Sequence, residues 1–126
     1  MSRATETCVG DVMTTPVQTI PAGASVREAA ARMRENEINS LLVTGGQTGI
    51  VTSTDVLDSV AAGYDTDEHL VEDVMTAPVE SVNADLRLGE AAAMMENYGF
   101  NHLPVRDGDR DFVGIVSSTD IRDTVA

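Results

Sequence analysis

The chain has no lysine and no tryptophan, and Cys8 is its only cysteine. All eight basic residues are arginines. The chain has 21 acidic residues, so its formal net charge is −13. Nucleic acids and anionic membrane surfaces both need a cationic face, so this balance argues against either partner. A single cysteine excludes an intrachain disulfide and a cysteine-cluster metal site. No stretch approaches the roughly 20 apolar residues of a membrane-spanning helix, so we expect a soluble, cytoplasmic protein.

The acidic, lysine-free composition leaves two interpretations open. The chain is either an ordinary, highly soluble acidic protein or the product of a high-salt, halophilic cytoplasm. At about 1 M salt the Debye length is only about 3 Å, so the self-repulsion of such a surface is largely screened there.

The most informative pattern is an internal repeat. Residues 9–17 return as residues 71–79, an offset of 71 − 9 = 62. Later in the chain the offset between the repeats increases by three, because residues 49–55 correspond to residues 114–120. Each half alone is too short to bury a comfortable core, so the two halves are expected to share one. The duplication therefore predicts a pseudo-twofold pair with two equivalent clefts.

Each repeat predicts the same order of elements: an apolar turn, then β-α-β-β-α. Alternating polarity predicts the first strands at 17–20 and 79–82. The last helix of the second repeat is expected to be short or frayed, because the sequence stops at Ala126. The predicted fold class is α/β (α+β), with two β-α-β-β-α repeats packed as a pseudo-twofold pair. The predicted bounds are 8–63 for the first repeat, 64–70 for an acidic linker and 71–126 for the second repeat.

Three signature pieces together resemble a known family. They are Asp-Val-Met-Thr-x-Pro-Val in both repeats, Asn-His-Leu-Pro-Val at 101–105 and Gly-Ile-Val-Ser-Ser-Thr-Asp at 114–120. In this order they resemble a tandem pair of cystathionine-β-synthase (CBS) domains, also called a Bateman module. The resemblance extends from about Val9 to Val125.

The resemblance implies a regulatory sensor rather than an enzyme. Such pairs bind adenosine-containing ligands (AMP, ADP, ATP or S-adenosylmethionine, with Mg²⁺ able to accompany ATP) in clefts between the repeats. They signal by a change of conformation or assembly. The resemblance also implies a homodimer and an unknown protein partner, and the chain resembles a stand-alone CBS protein. The alternative is a ligand-free dimerisation or docking module for a partner protein.

The piece with the clearest chemistry is Thr52-x-x-Asp55, repeated as Ser117-x-x-Asp120. Each copy follows an apolar strand and opens a helix, and a helix N-terminus suits phosphate. The Asp carboxylate matches the two hydroxyl donors of a ribose. The same spacing is also a helix capping box, and the two roles are not exclusive.

The resemblance adds further candidate binding residues at the strand edges and beside these helix starts. They are Thr19, Ile38, Asn39, Ser40, Thr54, Ser81, Phe100, Asn101, His102, Pro104 and Thr119. The alternatives are ordinary strand positions for Thr19 and Ser81, core packing for Ile38 and Phe100, and a surface or core-edge imidazole for His102. We expect the second-repeat site to be the stronger one, because Ser40 in the first repeat has no charge where the second has His102. Leu42 also stands where the second repeat has Pro104. No catalytic set is visible, so catalysis is not expected.

Overall fold

The computed structural model describes residues 7–109 and 111–125; residue 126, where the second repeat was predicted to end, lies outside this part. The chain forms two compact units. The first-sheet unit is Gln18–Val79, and the second-sheet unit joins the described residues up to Val17 to those from Glu80 onward. Each unit combines helices with one three-stranded sheet, which confirms the α+β class. In the part of the chain described, no helix is long and apolar enough to cross a membrane.

The first-sheet unit has strand order β1-β2-β3, with β1 parallel to β2 and β2 antiparallel to β3. Its elements are β1 (Thr19–Pro21), α1 (Val26–Asn36), β2 (Ser40–Thr44), β3 (Gly49–Thr52), α2 (Ser53–Ala61) and α3 (Val71–Val74). The helix α1 begins at a cap, where the Glu28 amide donates to Ser25 Oγ at 3.0 Å. Helical spacing puts Val26, Ala29 and Met33 on the buried face of α1.

The second-sheet unit repeats this arrangement with strand order β4-β5-β6. Its elements are a 3-10 turn (Val9–Asp11), β4 (Val82–Asn83), α4 (Leu88–Tyr98), β5 (His102–Arg106), β6 (Phe112–Ser117) and α5 (Ser118–Val125). The helix α4 ends at Gly99, whose φ of 73° is left-handed, as in many helix C-caps. The core of this unit gathers Leu88, Leu103 and Val116 around the sheet.

The sequence repeats and the compact units do not coincide. Thr14, from the start of the first sequence repeat, pairs with Ile115 of β6 through two backbone hydrogen bonds of 2.8 and 3.2 Å. Thr76, from the start of the second repeat, pairs with Ile50 of β3 through bonds of 2.9 and 3.0 Å. The leading segment of each sequence repeat therefore completes the sheet that belongs to the other.

Two glycines make this pairing possible. A Cβ on Gly114 would lie 2.7 Å from the Thr14 carbonyl oxygen and 2.8 Å from Met13 Sδ. A Cβ on Gly49 would lie 2.8 Å from both the Thr76 carbonyl oxygen and Met75 Sδ. The Met-Thr of one signature piece thus lies directly against the Gly-Ile-Val of another, which explains why both pieces occur twice.

The aspartates of the Asp-Val-Met pieces have a local structural role. Asp11 accepts a hydrogen bond from the Cys8 amide at 2.9 Å, and Asp73 accepts one from the Leu70 amide at 3.2 Å. Each carboxylate therefore accepts from a backbone N–H at the start of a short helical turn.

The structure corrects three details of the predicted elements. The first strands begin later than 17 and 79, at Thr19 and Val82. Val79 does not open a strand beside β5, because it belongs to the first-sheet unit, where its amide donates to the Thr48 carbonyl. The last helix, which was expected to be short or frayed, is almost as long as its counterpart: α5 has eight residues and α2 has nine.

The acidic segment 64–70 is tied to the first-sheet unit by side chains. Ser59 Oγ, on a residue only 3% exposed, lies 2.7 Å from His69 Nδ1. Tyr64 stacks on the His69 ring with a centroid distance of 4.1 Å. His69 therefore joins this segment to the buried side of α2.

We expect His69→Ala to lower the free energy of unfolding by about 1–3 kcal/mol, because it leaves the buried Ser59 hydroxyl unpaired. Adding Ser59→Ala should recover part of that loss, since removing both partners costs less than orphaning one. Urea denaturation of the two variants measures both effects. A loss below about 0.5 kcal/mol for His69→Ala would show that the contact contributes little.

Candidate functional site

The α2 start in the first-sheet unit is a reciprocal cap. The Thr52 amide and Thr52 hydroxyl both donate to Asp55 Oδ2, at 2.8 and 3.1 Å. In return the Asp55 amide donates to Thr52 Oγ1 at 3.4 Å. The capping-box interpretation of this motif is therefore confirmed, and both side chains are half-buried.

The α5 start in the second-sheet unit is built in the same way, with one difference. The Ser117 amide donates to Asp120 Oδ2 at 2.8 Å, and the Asp120 amide donates to Ser117 Oγ at 3.1 Å. Here the serine hydroxyl accepts a bond but does not give its own proton to the carboxylate, whereas the Thr52 hydroxyl does. The hydroxyl proton of Ser117 is therefore still available to a ligand, whereas the hydroxyl proton of Thr52 is already bonded to Asp55.

Each aspartate also keeps an acceptor. Within residues 7–109 and 111–125, the bonds to Asp55 and Asp120 use Oδ2 alone, and Oδ1 has no protein partner. A carboxylate oxygen without a protein partner can accept from the hydroxyl groups of a ligand. Capping and ligand contact are therefore compatible, because they use different oxygens of one carboxylate.

The strand beside each cap supplies further polar groups. His102, half-buried at the start of β5, pairs with Ser117 in the sheet register. The amide of Ser118 donates to the Asn101 carbonyl at 2.9 Å. The structure therefore brings Asn101, His102, Ser117 and Asp120 together at one end of the second sheet.

The equivalent end of the first sheet is less polar. Ser40 pairs with Thr52 but is only 7% exposed, and the Ser53 amide donates to the Asn39 carbonyl at 3.0 Å. With a buried serine where the second unit has a half-buried histidine, this end has fewer accessible groups for a ligand.

The other candidate residues from the sequence lie partly on the surface and partly in the core. Thr54 and Thr119 are exposed on the first turns of α2 and α5. Ile38 and Phe100 are half-buried and pack against the two cores, which favours a structural role for both. Pro104 is buried in β5 opposite Ile115.

Thr19 and Ser81 lie away from the capped helix starts. The Thr19 carbonyl accepts from Arg32 at 2.8 Å, and Ser81 Oγ accepts from Arg106 Nε at 3.1 Å. Ser81 lines a cavity whose other polar residues, Asn83, Asp85 and Arg106, were not predicted as site residues. The signal for them was present in the sequence, since each departs from its counterpart in the other repeat.

The arginines next to the predicted sites have separate positions. Arg27 pairs with Asp67 at 3.2 Å on the surface, and Arg106 lies 3.9 Å above the Phe112 ring. Arg122 donates to Thr119 Oγ1 at 3.2 Å, which places a cation on the first turns of α5. In the described part of the chain, no three His, Cys, Asp or Glu side chains are grouped to hold a metal ion.

The fold and the duplicated caps define a class: a tandem pair of small α+β repeats, each with a capped helix that follows the last strand of its sheet. A family model for the CBS domain matches residues 9–62 and 71–126. The chain therefore belongs to the CBS domain family as a tandem pair, which confirms the resemblance of its signature pieces.

Similar proteins include both longer enzymes and small proteins. The homoserine O-acetyltransferase of Methanohalobium evestigatum is 37% identical over 118 residues, which are 91% of this chain and 23% of that enzyme. The chain thus spans about a quarter of the length of such enzymes. A 17.7 kDa protein of Acidianus ambivalens is 35% identical over 91% of this chain and 71% of its own length.

Two solved structures give the structural comparison. The CBS domain pair of protein MJ0100, in complex with 5′-methylthioadenosine and S-adenosyl-L-methionine, is 32% identical with a TM-score of 0.82. That match covers 95% of this chain and 100% of the other. A hexameric CBS-CP12 protein from bloom-forming cyanobacteria is also 32% identical, with a TM-score of 0.85 over 91% of this chain and 69% of the other.

Proposed function

We propose that this CBS pair is a regulatory module that binds an adenosine-containing ligand at the α5 start. The observation that carries the proposal is the Asp120 carboxylate, which caps α5 through Oδ2 and keeps Oδ1 for the hydroxyls of a ribose. The Ser117 hydroxyl and the His102 ring supply neighbouring polar groups. A solved relative that binds two adenosine compounds supports the same ligand class.

The charge of the protein favours a ligand with little negative charge. A net charge of −13 repels a triphosphate, and Arg122 is the cation nearest in sequence to Asp120. Neutral 5′-methylthioadenosine and cationic S-adenosylmethionine avoid this repulsion, and AMP is the easiest of the nucleotides. We therefore place the first two compounds ahead of AMP, and AMP ahead of ADP and ATP.

Thermal unfolding with each ligand added in turn tests the proposal. A ligand at about 100 times its dissociation constant should stabilise the chain by about 2.7 kcal/mol, which raises Tm by several degrees. The melts are run at about 0.1 M KCl, where the Debye length is about 10 Å and anionic ligands still meet the negative charge of the protein, and again at about 1 M KCl, where this repulsion is largely screened. Adenine-free ribose 5-phosphate is the control and should leave Tm unchanged.

The order of the shifts is as informative as their size. A large shift with ATP and none with 5′-methylthioadenosine would contradict the electrostatic argument. No shift with any adenosine compound would favour the alternative, a docking module that works without a ligand.

We further propose that α2 contributes to a homodimer. Leu57 and Val60 lie one helical turn apart and are 67% and 59% exposed, and Tyr64 beyond them is 58% exposed. Two large exposed apolar side chains one turn apart on a helix favour an interaction face. In the second repeat the position that corresponds to Leu57 is Arg122, so this apolar face is specific to the first repeat.

The double variant Leu57→Asp, Val60→Asp should convert a dimer to a monomer, because it places four charges at the interface of two copies. Light scattering coupled to gel filtration measures the mass. Both residues are exposed, so the free energy of unfolding of the monomer should change little. An unchanged mass in the variant, or a monomeric wild-type chain, would contradict this interface.

A further inference from the structure

A cavity of about 270 Å³ lies in the second-sheet unit, away from the capped helix starts. Its lining combines three apolar side chains with four polar ones: Val82, Leu86 and Met94, then Ser81, Asn83, Asp85 and Arg106. The volume is slightly below the range typical of pockets for drug-sized ligands, so it suits a smaller metabolite.

At the same place in the first-sheet unit, an arginine side chain reaches the strand edge. Met94 of α4 corresponds to Arg32 of α1 at the repeat offset of 94 − 32 = 62. The Arg32 guanidinium donates to the carbonyl of Thr19 at 2.8 Å and pairs with Glu28 at 3.4 Å. The Arg32 side chain therefore covers the outer edge of β1. Met94 has no hydrogen-bond donor in its side chain, so it cannot bond the backbone at Ser81, which corresponds to Thr19.

The polar groups of the cavity are also specific to the second repeat. At the same offset, Asp85 corresponds to Gly23 and Arg106 corresponds to Thr44. Asn83 corresponds to Pro21, which has neither an amide side chain nor a backbone N–H. The first repeat thus has the ion pair of Arg32 with Glu28 at this place, and the second has a cavity lined by one carboxylate and one guanidinium.

The chemistry of the lining selects a ligand class. An anionic carboxylate and a cationic guanidinium on one cavity match the ammonium and carboxylate groups of a zwitterion. The apolar side formed by Leu86 and Met94 suits a short hydrocarbon or thioether chain. A zwitterion is neutral overall, so it meets no net repulsion from a protein of charge −13. We propose that this cavity binds a free α-amino acid with a small apolar side chain.

The proposed amino-acid site is separate from the proposed adenosine site. Ser117 pairs with His102 at the start of β5, whereas the cavity lies beside Arg106 at its end. Four residues of strand separate these two positions by roughly 13 Å. The two ligands therefore do not use the same side chains, and the chain can be tested for each one independently.

Isothermal titration calorimetry with L-valine, L-leucine and L-methionine tests the proposal on the wild-type chain. At about 10 mM, at least one of the three should give saturable binding, as expected for a metabolite site of modest affinity. N-acetyl-L-methionine and L-methioninamide should fail to bind, because each lacks one of the two charges. Asp120→Asn should leave amino-acid binding unchanged.

Three variants locate the site. Met94→Arg installs the residue that the first-sheet unit has at this place and should abolish binding. Asp85→Asn, at an exposed loop residue, should weaken it at least tenfold. Arg32→Met is the matched control and should bind as the wild type does, because the first-sheet unit lacks the aspartate and the arginine.

Three results would overturn the proposal of an amino-acid site. Absence of binding for all three amino acids would do so, as would equal binding of the N-acetyl compound. Binding that survives both Met94→Arg and Asp85→Asn would place the amino acid elsewhere. Circular dichroism of each variant separates a lost site from a lost fold.

Discussion

Replacing Gly114 by alanine is expected to lower the free energy of unfolding by about 2–3 kcal/mol, one of the larger effects a single methyl group can have. The new Cβ would lie 2.7 Å from the Thr14 carbonyl oxygen, and this oxygen accepts the Ile115 amide. Backbone cannot move aside as a flexible side chain can, so the Thr14–Ile115 pairing has to shift. Thermal unfolding should show a Tm lower by roughly 10 °C.

The internal repeat supplies the controls for this experiment. Gly49→Ala should have a similar cost, because its Cβ would lie 2.8 Å from the Thr76 carbonyl oxygen. Gly46→Ala should have almost none, since no atom lies within 4 Å of its Cβ. If Gly114→Ala behaves like Gly46→Ala, the leading segment does not lie against β6 as described.

The second large effect concerns the proposed ligand. Asp120→Asn is expected to weaken binding of 5′-methylthioadenosine by about 10- to 100-fold, which corresponds to about 1.5–3 kcal/mol for a hydrogen bond to a charged group. An asparagine can still accept the Ser117 amide through its single oxygen. The NH₂ group of the asparagine takes the place of the other carboxylate oxygen, and this group cannot accept a hydrogen bond from a ribose hydroxyl.

Asp55→Asn is the matched control for this substitution, because both aspartates cap a helix in the same way. We expect it to have a smaller effect, since the Thr52 hydroxyl is already bonded to Asp55 and the neighbouring Ser40 is buried. Calorimetric titration of both variants measures the difference. A greater loss with Asp55→Asn would reverse the assignment of the stronger site.

Much of the fold could be predicted from local sequence signals. The internal repeat indicates that the same elements occur twice, and Ser25 stands three residues before Glu28, the spacing of the helix cap at which α1 begins. The bounds of β2 and β5 were predictable, because apolar runs bounded by turn residues are typical of buried strands. The same spacing rule predicted both Ser/Thr-x-x-Asp caps.

The exchange of leading segments could not be predicted in this way. Sequence periodicity reports which residues resemble each other, and it contains no information on which sheet Thr14 or Thr76 will pair with. The late start of β4 follows from the same exchange, because Val79 is bonded to Thr48. Long-range pairing of this kind is a tertiary property, and local propensity does not encode it.

The differences between the repeats were visible in the sequence but not interpretable. Arg32 and Met94 are ordinary helix residues until the structure shows that the arginine covers a strand edge. Asp85 and Arg106 are far apart in the chain, and only the parallel pairing of β4 with β5 brings both to one cavity.

An NMR titration of the isotope-labelled chain with 5′-methylthioadenosine tests the central claim most directly. Binding at the α5 start predicts saturable shifts of the backbone amides of Ser117, Asp120 and His102, with little change at Asp55. Shifts confined to the α2 start, or no shifts at millimolar ligand, would contradict it.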